Sequence, residues 1–451
     1  MRIIIVGAGK MGKAILKHVC NENHEVVVID NSAKVIEDII NTYDVMGVCG
    51  NGVSYEIQKS AGTDRADLFI AVTVNDEVNM LACLIAKNLG VKNTIARVRD
   101  YEYSKQSDLM AGTLGITRTI NPELESAKEI LRIINFPEAL KVDSFAHGNA
   151  DITEFFISND SPIAGLSLIQ INQKIGQTFL ICAVERGNEV IIPNGQTVIK
   201  GNDKIYIISS QEESKAFISK LGLSKTKLKN ILIIGASKIA YYLAEALTKN
   251  KYNVKIIEVN QSKAKAIAES IPKANVVVGD GSNQELLKEE GINNFDAIVC
   301  LTGIDEENII ISLYANKLNL GKIITKVNKA SFAGLLEYVE MGSVIYPQDI
   351  AANQVVSYVR SNANTRGNNI VTLHKIVENQ VEASEFIASK ASKVINIPLK
   401  DLTLKANILI GGIIRNQQII IPSGMTSINE NDSVIVVSKD MILNDLDDIL
   451  V

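Results

Sequence analysis

The sequence predicts an α/β protein: two Rossmann-like domains with doubly wound parallel sheets, each followed by a small α+β domain. Three observations carry that expectation. Short apolar runs alternate with segments of helical spacing, a glycine-rich loop joins the first such run to the first helix, and the whole arrangement occurs twice in 451 residues. A chain of that length exceeds one ordinary domain of roughly 150 residues.

The elements follow in order. Arg2–Val6 reads as a strand, Gly12–Cys20 as a helix and Glu25–Ile29 as the second strand. Ser32–Asn41 reads as a helix with a cap at Asn31 or Ser32. Val45–Val48, Leu68–Val72 and Thr94–Val98 supply further strands. Asp76–Leu89 is helical and stops at Gly90, a residue suited to the left-handed position after a helix. Asn121-Pro122 starts the helix Glu123–Ile134, with proline in its first turn. Strands and helices alternating in this way imply a parallel sheet covered on both faces.

Beyond Pro137 the pattern changes to short β-branched runs, Thr153–Ile157, Phe179–Val184 and Lys204–Ile208. They lie between turns such as Arg186-Gly187-Asn188 and Pro193-Asn194-Gly195, as in a small α+β module. The polar stretches Gly222–Asn230 and Arg360–Asn369 read as boundaries. The expected domains are residues 1–136, 137–224, 229–360 and 367–451.

Gly7 recurs as Gly235 and Asp30 as the equivalent acid Glu258, both 228 residues on. After one inserted residue the offset is 229, pairing Gly50 with Gly279, Asp67 with Asp296, Thr73 with Thr302, Asp76-Glu77 with Asp305-Glu306 and Asn79 with Asn308. Arg186 and Arg415, Pro193 and Pro422, and Asp203 and Asp432 continue the same phase. The chain is therefore read as two copies of one two-domain unit.

Gly7-Ala8-Gly9-Lys10-Met11-Gly12 follows a strand, opens a helix and is followed by an acid, Asp30, at the end of the second strand. In that context the first glycine permits the turn, the second admits a pyrophosphate against the backbone, and the third lets helix and strand pack. Asp30 can accept from both ribose hydroxyls and would repel a 2′-phosphate, which favours NAD(H) over NADP(H). ATP or ADP offers the same diol. Asn51, next to Gly52, either reads an adenine edge or shapes a turn. Thr73 and Val74 fall where the crevice should open, and Arg97 either pairs with a phosphate or joins a surface ion pair. In the second copy the loop reads Gly235-Ala236-Ser237-Lys238-Ile239-Ala240, so Ser237 stands where the second glycine would. Glu258 and Asp280 keep the polar positions, which leaves binding there open.

Composition narrows the function. With 46 Lys and Arg against 51 Asp and Glu, the net charge of −5 argues against a nucleic-acid partner. Five scattered cysteines with no CxxC spacing argue against a zinc site or a disulfide framework. No apolar run approaches the roughly 20 residues of a membrane-spanning helix, and no signal peptide precedes Arg2–Val6, so cytosol is the expected compartment. Phosphoryl transfer is not expected, because no GxxxxGK[ST] spacing occurs. Neither a carboxylate pair nor a Ser/His/Asp grouping stands out, and no catalytic or metal-binding residue is assigned.

The order of modules resembles the TrkA family of potassium uptake regulatory subunits, which carry two RCK/KTN repeats. The resemblance covers essentially the whole chain. It rests on Gly7–Gly12 with Asp30, on Ala66–Thr73, on Ile95-Ala96-Arg97-Val98-Arg99, and on Ile192-Pro193-Asn194-Gly195 with Ile421-Pro422-Ser423-Gly424. It departs from the family pattern at Gly235–Ala240. The resemblance implies a regulatory subunit without catalytic activity, lying in the cytoplasm on the inner face of the cell membrane. It further implies a homo-oligomer, a tetrameric ring, beneath a TrkH/TrkG-type potassium-translocating protein, with NAD(H) or an adenine nucleotide as regulatory ligand. The helices Glu123–Ile134 and Gln348–Arg360 are expected to pack lobe against lobe. The competing readings are an NAD-dependent dehydrogenase, which the repeat disfavours, and an RCK regulator of another cation system.

Overall fold

The computed structural model describes the chain except residues 23, 106–111, 177, 188, 222–227, 333–335, 337–340, 364–369 and 378–379. Most of the expected boundaries Gly222–Asn230 and Arg360–Asn369, and Asn188 of the expected turn, lie outside the described residues.

The first lobe is a six-stranded parallel sheet. Its strands are β1 (Arg2–Val6), β2 (Glu25–Asp30), β3 (Met46–Cys49), β4 (Leu68–Ala71), β5 (Asn93–Arg97) and β6 (Arg118–Ile120). Their order is β3-β2-β1-β4-β5-β6, the doubly wound arrangement whose direction reverses between β1 and β4. Strand β1 is central and apolar; Ile3, Ile4 and Ile5 are fully buried, as a strand covered on both faces must be. The helix after β2 runs Ala33–Thr42, and Ser32 caps it by accepting from the Val35 N–H at 3.4 Å. The helix Asp76–Asn88 ends near Gly90, whose φ is +107°.

The first small module holds β7 (Lys141–Phe145), β8 (Ala150–Phe156), β9 (Leu180–Arg186), β10 (Glu189–Ile191) and β11 (Lys204–Ser209), an antiparallel sheet ordered β10-β9-β11-β8-β7. The second lobe repeats the first with β12 (Asn230–Ile234), β13 (Asn253–Glu258), β14 (Asn275–Val278), β15 (Ala297–Cys300), β16 (Lys322–Lys326) and β17 (Ser343–Ile345). The second module repeats the small sheet with β18 (Ile370–Ile376), β19 (Val381–Ile387), β20 (Ile408–Arg415), β21 (Gln418–Ile420) and β22 (Ser433–Lys439).

Like associates with like. One compact unit comprises Met1–Ile130 with Asn230–Val356, the two lobes; the other comprises Leu131–Lys229 with Ser357–Val451, the two small modules. Within the first unit the lobes meet through Tyr101, whose ring lies 5.3 Å from that of Tyr241 and 5.8 Å from that of Tyr242. Tyr101 also donates to Glu245 at 2.9 Å, and Asn121 donates to the Tyr242 hydroxyl at 3.0 Å. Aromatic residues of the helix Lys238–Lys249 thus take part in the lobe contact. Within the second unit the two small sheets share one core, including Phe145, Ile152, Ile208, Ile376, Val381 and Val437. His374 crosses between them, its Nδ1 3.3 Å from Asp143 and its Nε2 3.1 Å from the Ser144 carbonyl.

Glu154 of β8 stands among Lys204, Lys141, Glu185 and Asp143, and burial pushes its carboxyl from 4.5 up to about 7. A carboxyl with a raised folded-state pKa resists ionising in the fold, so stability falls as pH rises from about 4.5 to about 7. Glu154→Gln should remove that part of the pH dependence. In urea unfolding the variant should match the parent below pH 4.5 and gain on it up to about pH 7; parallel curves would contradict the assignment.

Candidate functional site

Because the winding reverses between β1 and β4, the loops that follow them open toward one crevice. Gly7 and Thr73 stand back to back there. Gly7 has φ +96°, and a Cβ on it would come within 2.9 Å of the Thr73 nitrogen. A Cβ on Gly12 would lie 2.1 Å from the Gly7 carbonyl oxygen, so the third glycine serves packing.

Gly9 is different. Its backbone, at φ −69° and ψ −164°, is one that any residue adopts, and a Cβ there would meet nothing within 4 Å. Neither conformation nor packing asks for glycine at this position; open space in front of a helix start does. Gly9 is the N-cap of the helix Lys10–Val19, and no side chain caps that helix. Its first N–H groups and the positive end of its dipole are therefore presented to an anion. Ala8 and Met11 are buried beneath the loop, and Lys10 is exposed on its rim.

Asp30 braces the loop. Its Oδ2 accepts from the Ala8 N–H at 2.8 Å and its Oδ1 from the Ser32 N–H at 2.9 Å. A carboxylate offers about four acceptor positions, so two protein bonds leave capacity for a ribose diol. Gly52 packs against Val6, where a Cβ would fall 2.2 Å from a methyl carbon. Asn51 is exposed, and its Oδ1 accepts from the Val53 N–H at 3.2 Å. That bond is the turn role, one of its two readings.

On the other side of the crevice, Thr73 donates to Asn79 Oδ1 through its N–H at 2.8 Å and its hydroxyl at 2.7 Å. Buried Asn79 donates in turn to the Arg97 carbonyl at 2.9 Å. Asp76 accepts the N–H groups of Arg99 and Asp100, both at 2.8 Å. Asn79 and Asp76 thus tie the end of β4 to the end of β5. The repeated Asp-Glu-x-Asn pattern is visible in the sequence; only the fold shows what it holds. Val74 is exposed at the tip. Arg97 pairs with Glu123 at 3.1 Å, both side chains largely buried rather than on the surface, while its Nε is buried without a partner among the described residues. Burial lowers the Arg97 pKa, and Glu123 opposes the shift.

The second lobe keeps the frame and alters the helix start. Gly235 has φ +95°, close against Thr302. Glu258 accepts from Ala236 and Asn260, at 2.5 and 2.8 Å, as Asp30 does from its own neighbours. Ser237, however, is a working N-cap: its hydroxyl accepts from the Ala240 N–H at 3.3 Å. The substitution therefore does more than add a Cβ, because it satisfies a donor that the first lobe leaves open. Asp280 accepts from the N–H and hydroxyl of Ser282, again a turn role. Tyr101, Tyr241 and Tyr242 wall a cavity of about 250 Å³ beside Ala236–Lys238. At an offset of 228 the first lobe has Lys13 and Ala14 in place of the paired tyrosines.

Among the described residues, no group of three His, Cys, Asp or Glu side chains is placed to hold a metal ion, and no helix is long and apolar enough to cross a membrane.

Two family models each match twice: the TrkA-N domain over residues 3–122 and 231–347, and the TrkA-C domain over residues 152–222 and 384–451. The chain is 33% identical over 447 residues to the Trk system potassium uptake protein TrkA homolog 1 of Methanosarcina mazei, covering 97% of each. It is 29% identical over 443 residues to the Trk system potassium uptake protein TrkA of Vibrio alginolyticus, covering 97% of this chain and 95% of that one. Among solved structures, the GsuK RCK domain is similar at a TM-score of 0.63 and 18% identity, covering 97% of this chain and 92% of that one. The GsuK channel bound to NAD follows at 0.61 and 18%, covering 97% and 77%. These likenesses establish the tandem RCK fold.

The contrast between Gly9 and Ser237 yields a direct test. Gly9→Ser should leave the unliganded protein as stable as the parent or up to about 1 kcal/mol more stable, through a new N-cap. It should weaken adenine-nucleotide binding by about tenfold or more, since the hydroxyl takes both the space and a donor. Thermal melting and calorimetric titration check the two halves; unchanged affinity would contradict the reading of Gly9.

Proposed function

The chain belongs to the TrkA family of Trk potassium uptake proteins, and we propose that it is a nucleotide-binding regulatory subunit of a potassium uptake system. Its first lobe takes NAD(H) or an adenine nucleotide, and the ligand is held without being turned over. The observation that carries this reading is the uncapped helix Lys10–Val19 behind Gly9, with Asp30 at the ribose position. The similarity to the GsuK channel bound to NAD supports the ligand class.

In this reading the loop Gly7–Gly12 receives the phosphates on backbone N–H groups, and Asp30 receives the ribose hydroxyls. Asp30 repels a 2′-phosphate, so NAD(H) is preferred to NADP(H). At the end of β5, the buried Nε of Arg97, without a partner among the described residues, is a further donor. The second lobe, capped by Ser237, acts as the structural counterpart. The partner is a potassium-translocating membrane protein of the TrkH/TrkG type, with copies of this chain forming a tetrameric ring on the cytoplasmic face of the membrane. A bound nucleotide moves gating only by the difference in its affinity for the two states of that ring. Asp76 and Asn79, which join the ends of β4 and β5, are the elements through which an occupied crevice acts on Arg99–Tyr101 and hence on the lobe contact.

Calorimetric titration with NAD, NADH, ADP and ATP tests the proposal. Asp30→Ala should weaken binding by at least about tenfold, from loss of hydrogen bonds to a charged group, and Glu258→Ala should not. NADH mixed with the protein should keep its absorbance. Loss of binding on Glu258→Ala alone would move the site to the other lobe, and steady NADH oxidation would replace the regulatory reading with an enzymatic one.

A further inference from the structure

In the second small module, the helix Pro347–Ala363 is joined to β19 by a buried ion pair. Arg360 donates to both carboxylate oxygens of Glu382, at 2.7 and 3.1 Å, and is 1% exposed. The first module has the same parts. The helix Pro122–Asn135 carries Arg132, and β8 carries Asp151 at the register position of Glu382. Asp151 lies opposite Ser209 of β11 just as Glu382 lies opposite Ser438 of β22, and these serines are themselves 229 apart.

Here the bridge is missing. Asp151 is one methylene shorter, and its Oδ1 accepts from the Ser144 hydroxyl at 2.6 Å. Among the described residues no donor reaches its Oδ2, and Arg132 makes no hydrogen bond or ion pair. Burial raises the Asp151 carboxyl, while the Ser144 bond and the charge of Arg132 lower it. Between the two charges lies a cavity of about 260 Å³, lined by Arg132, Asp151, Ser144, Thr153, Gln211 and Ser214. A water occupies about 30 Å³ of liquid, so the space admits a small molecule. Phe136 and Val142 give the wall an apolar part.

We infer that this cavity binds a small zwitterion of the α-amino-acid kind, its carboxylate on Arg132 as Glu382 is on Arg360, and its ammonium on Asp151. The two charges select for both ends at once. A lone anion meets buried Asp151 and a lone cation meets half-buried Arg132, and each leaves one of the two charges uncompensated. The hydroxyls of Ser144, Thr153 and Ser214 supply the short-range acceptors and donors that orient such a ligand. The inference is independent of the nucleotide site and concerns a different unit of the chain.

The test is calorimetric titration of the full chain with glycine, alanine, serine, aspartate and lysine, and with acetate and methylamine as the separate charged halves. At least one amino acid should bind, and each half should bind at least about tenfold more weakly. Arg132→Gln and Asp151→Asn should each weaken the amino acid by about tenfold or more. Asp151→Glu is the sharpest variant. It supplies the reach of Glu382, so it should close the ion pair with Arg132 and abolish binding. Thermal melting of each variant, expected to stay within a few degrees of the parent for Asp151→Asn, guards against unfolding as the cause. The proposal falls if no amino acid binds below about 10 mM, as for a cavity holding water only. It also falls if acetate binds as well as the amino acids do, or if Asp151→Glu binds like the parent.

Discussion

The N–H groups that open the helix Lys10–Val19 have no side chain to satisfy them, and the first lobe is arranged around that deficit. Unpaired donors at a helix start are tolerated in water and become an asset when an anion approaches. Gly9 keeps the approach clear, Gly7 and Gly12 bring the loop close over β4, and Asp30 fixes the loop by taking the Ala8 N–H. The remaining features of the crevice follow from holding the ends of β4 and β5 around this point. Asn79 and Asp76 do so by hydrogen bonds to backbone that no solvent-exposed side chain could replace.

Duplication allowed the same frame to be used in two ways. In the second lobe a serine hydroxyl fills the role that an anion would fill in the first, and tyrosines from both lobes pack beside it. On the function proposed above, one copy responds to a ligand and the other transmits or resists the response. The small modules diverge in a parallel manner. Arg360 and Glu382 complete each other, whereas Arg132 and Asp151 leave a gap. In both pairs of domains the second copy satisfies internally what the first leaves for something else to satisfy. Coupling between such sites requires each ligand to favour one arrangement of the assembly over another.

Much of this is legible in the residues. The strand Arg2–Val6 can be placed to the residue, because an isoleucine run ending in glycine has few other meanings. The glycine loop, the acid at Asp30 and the doubly wound order follow from local spacing. What escapes is short or non-local. The helix Tyr55–Ser60, the strand Arg118–Ile120 and the helix Gln211–Lys220 carry too few periodic residues to stand out. The tyrosines that join lobe to lobe, Tyr101 with Tyr241 and Tyr242, lie about 140 residues apart in the chain, and no local spacing marks them. Arg97 is readable as a cation, but its partner Glu123 lies 26 residues on, beyond any periodic pattern. Ser237 reads first as a lost glycine, although a serine opening a helix is also an ordinary capping signal.

Of the two helices that follow the loops at Gly7 and Gly235, one start is left open for an anion and the other is closed by its own serine, a contrast with a single most direct measurement. Equilibrium dialysis of ADP or NADH against the purified chain gives the number of nucleotides held per polypeptide at saturation. The account predicts one. A value of two would show that the capped lobe binds as well, and a value of zero would show that the open helix start serves no nucleotide.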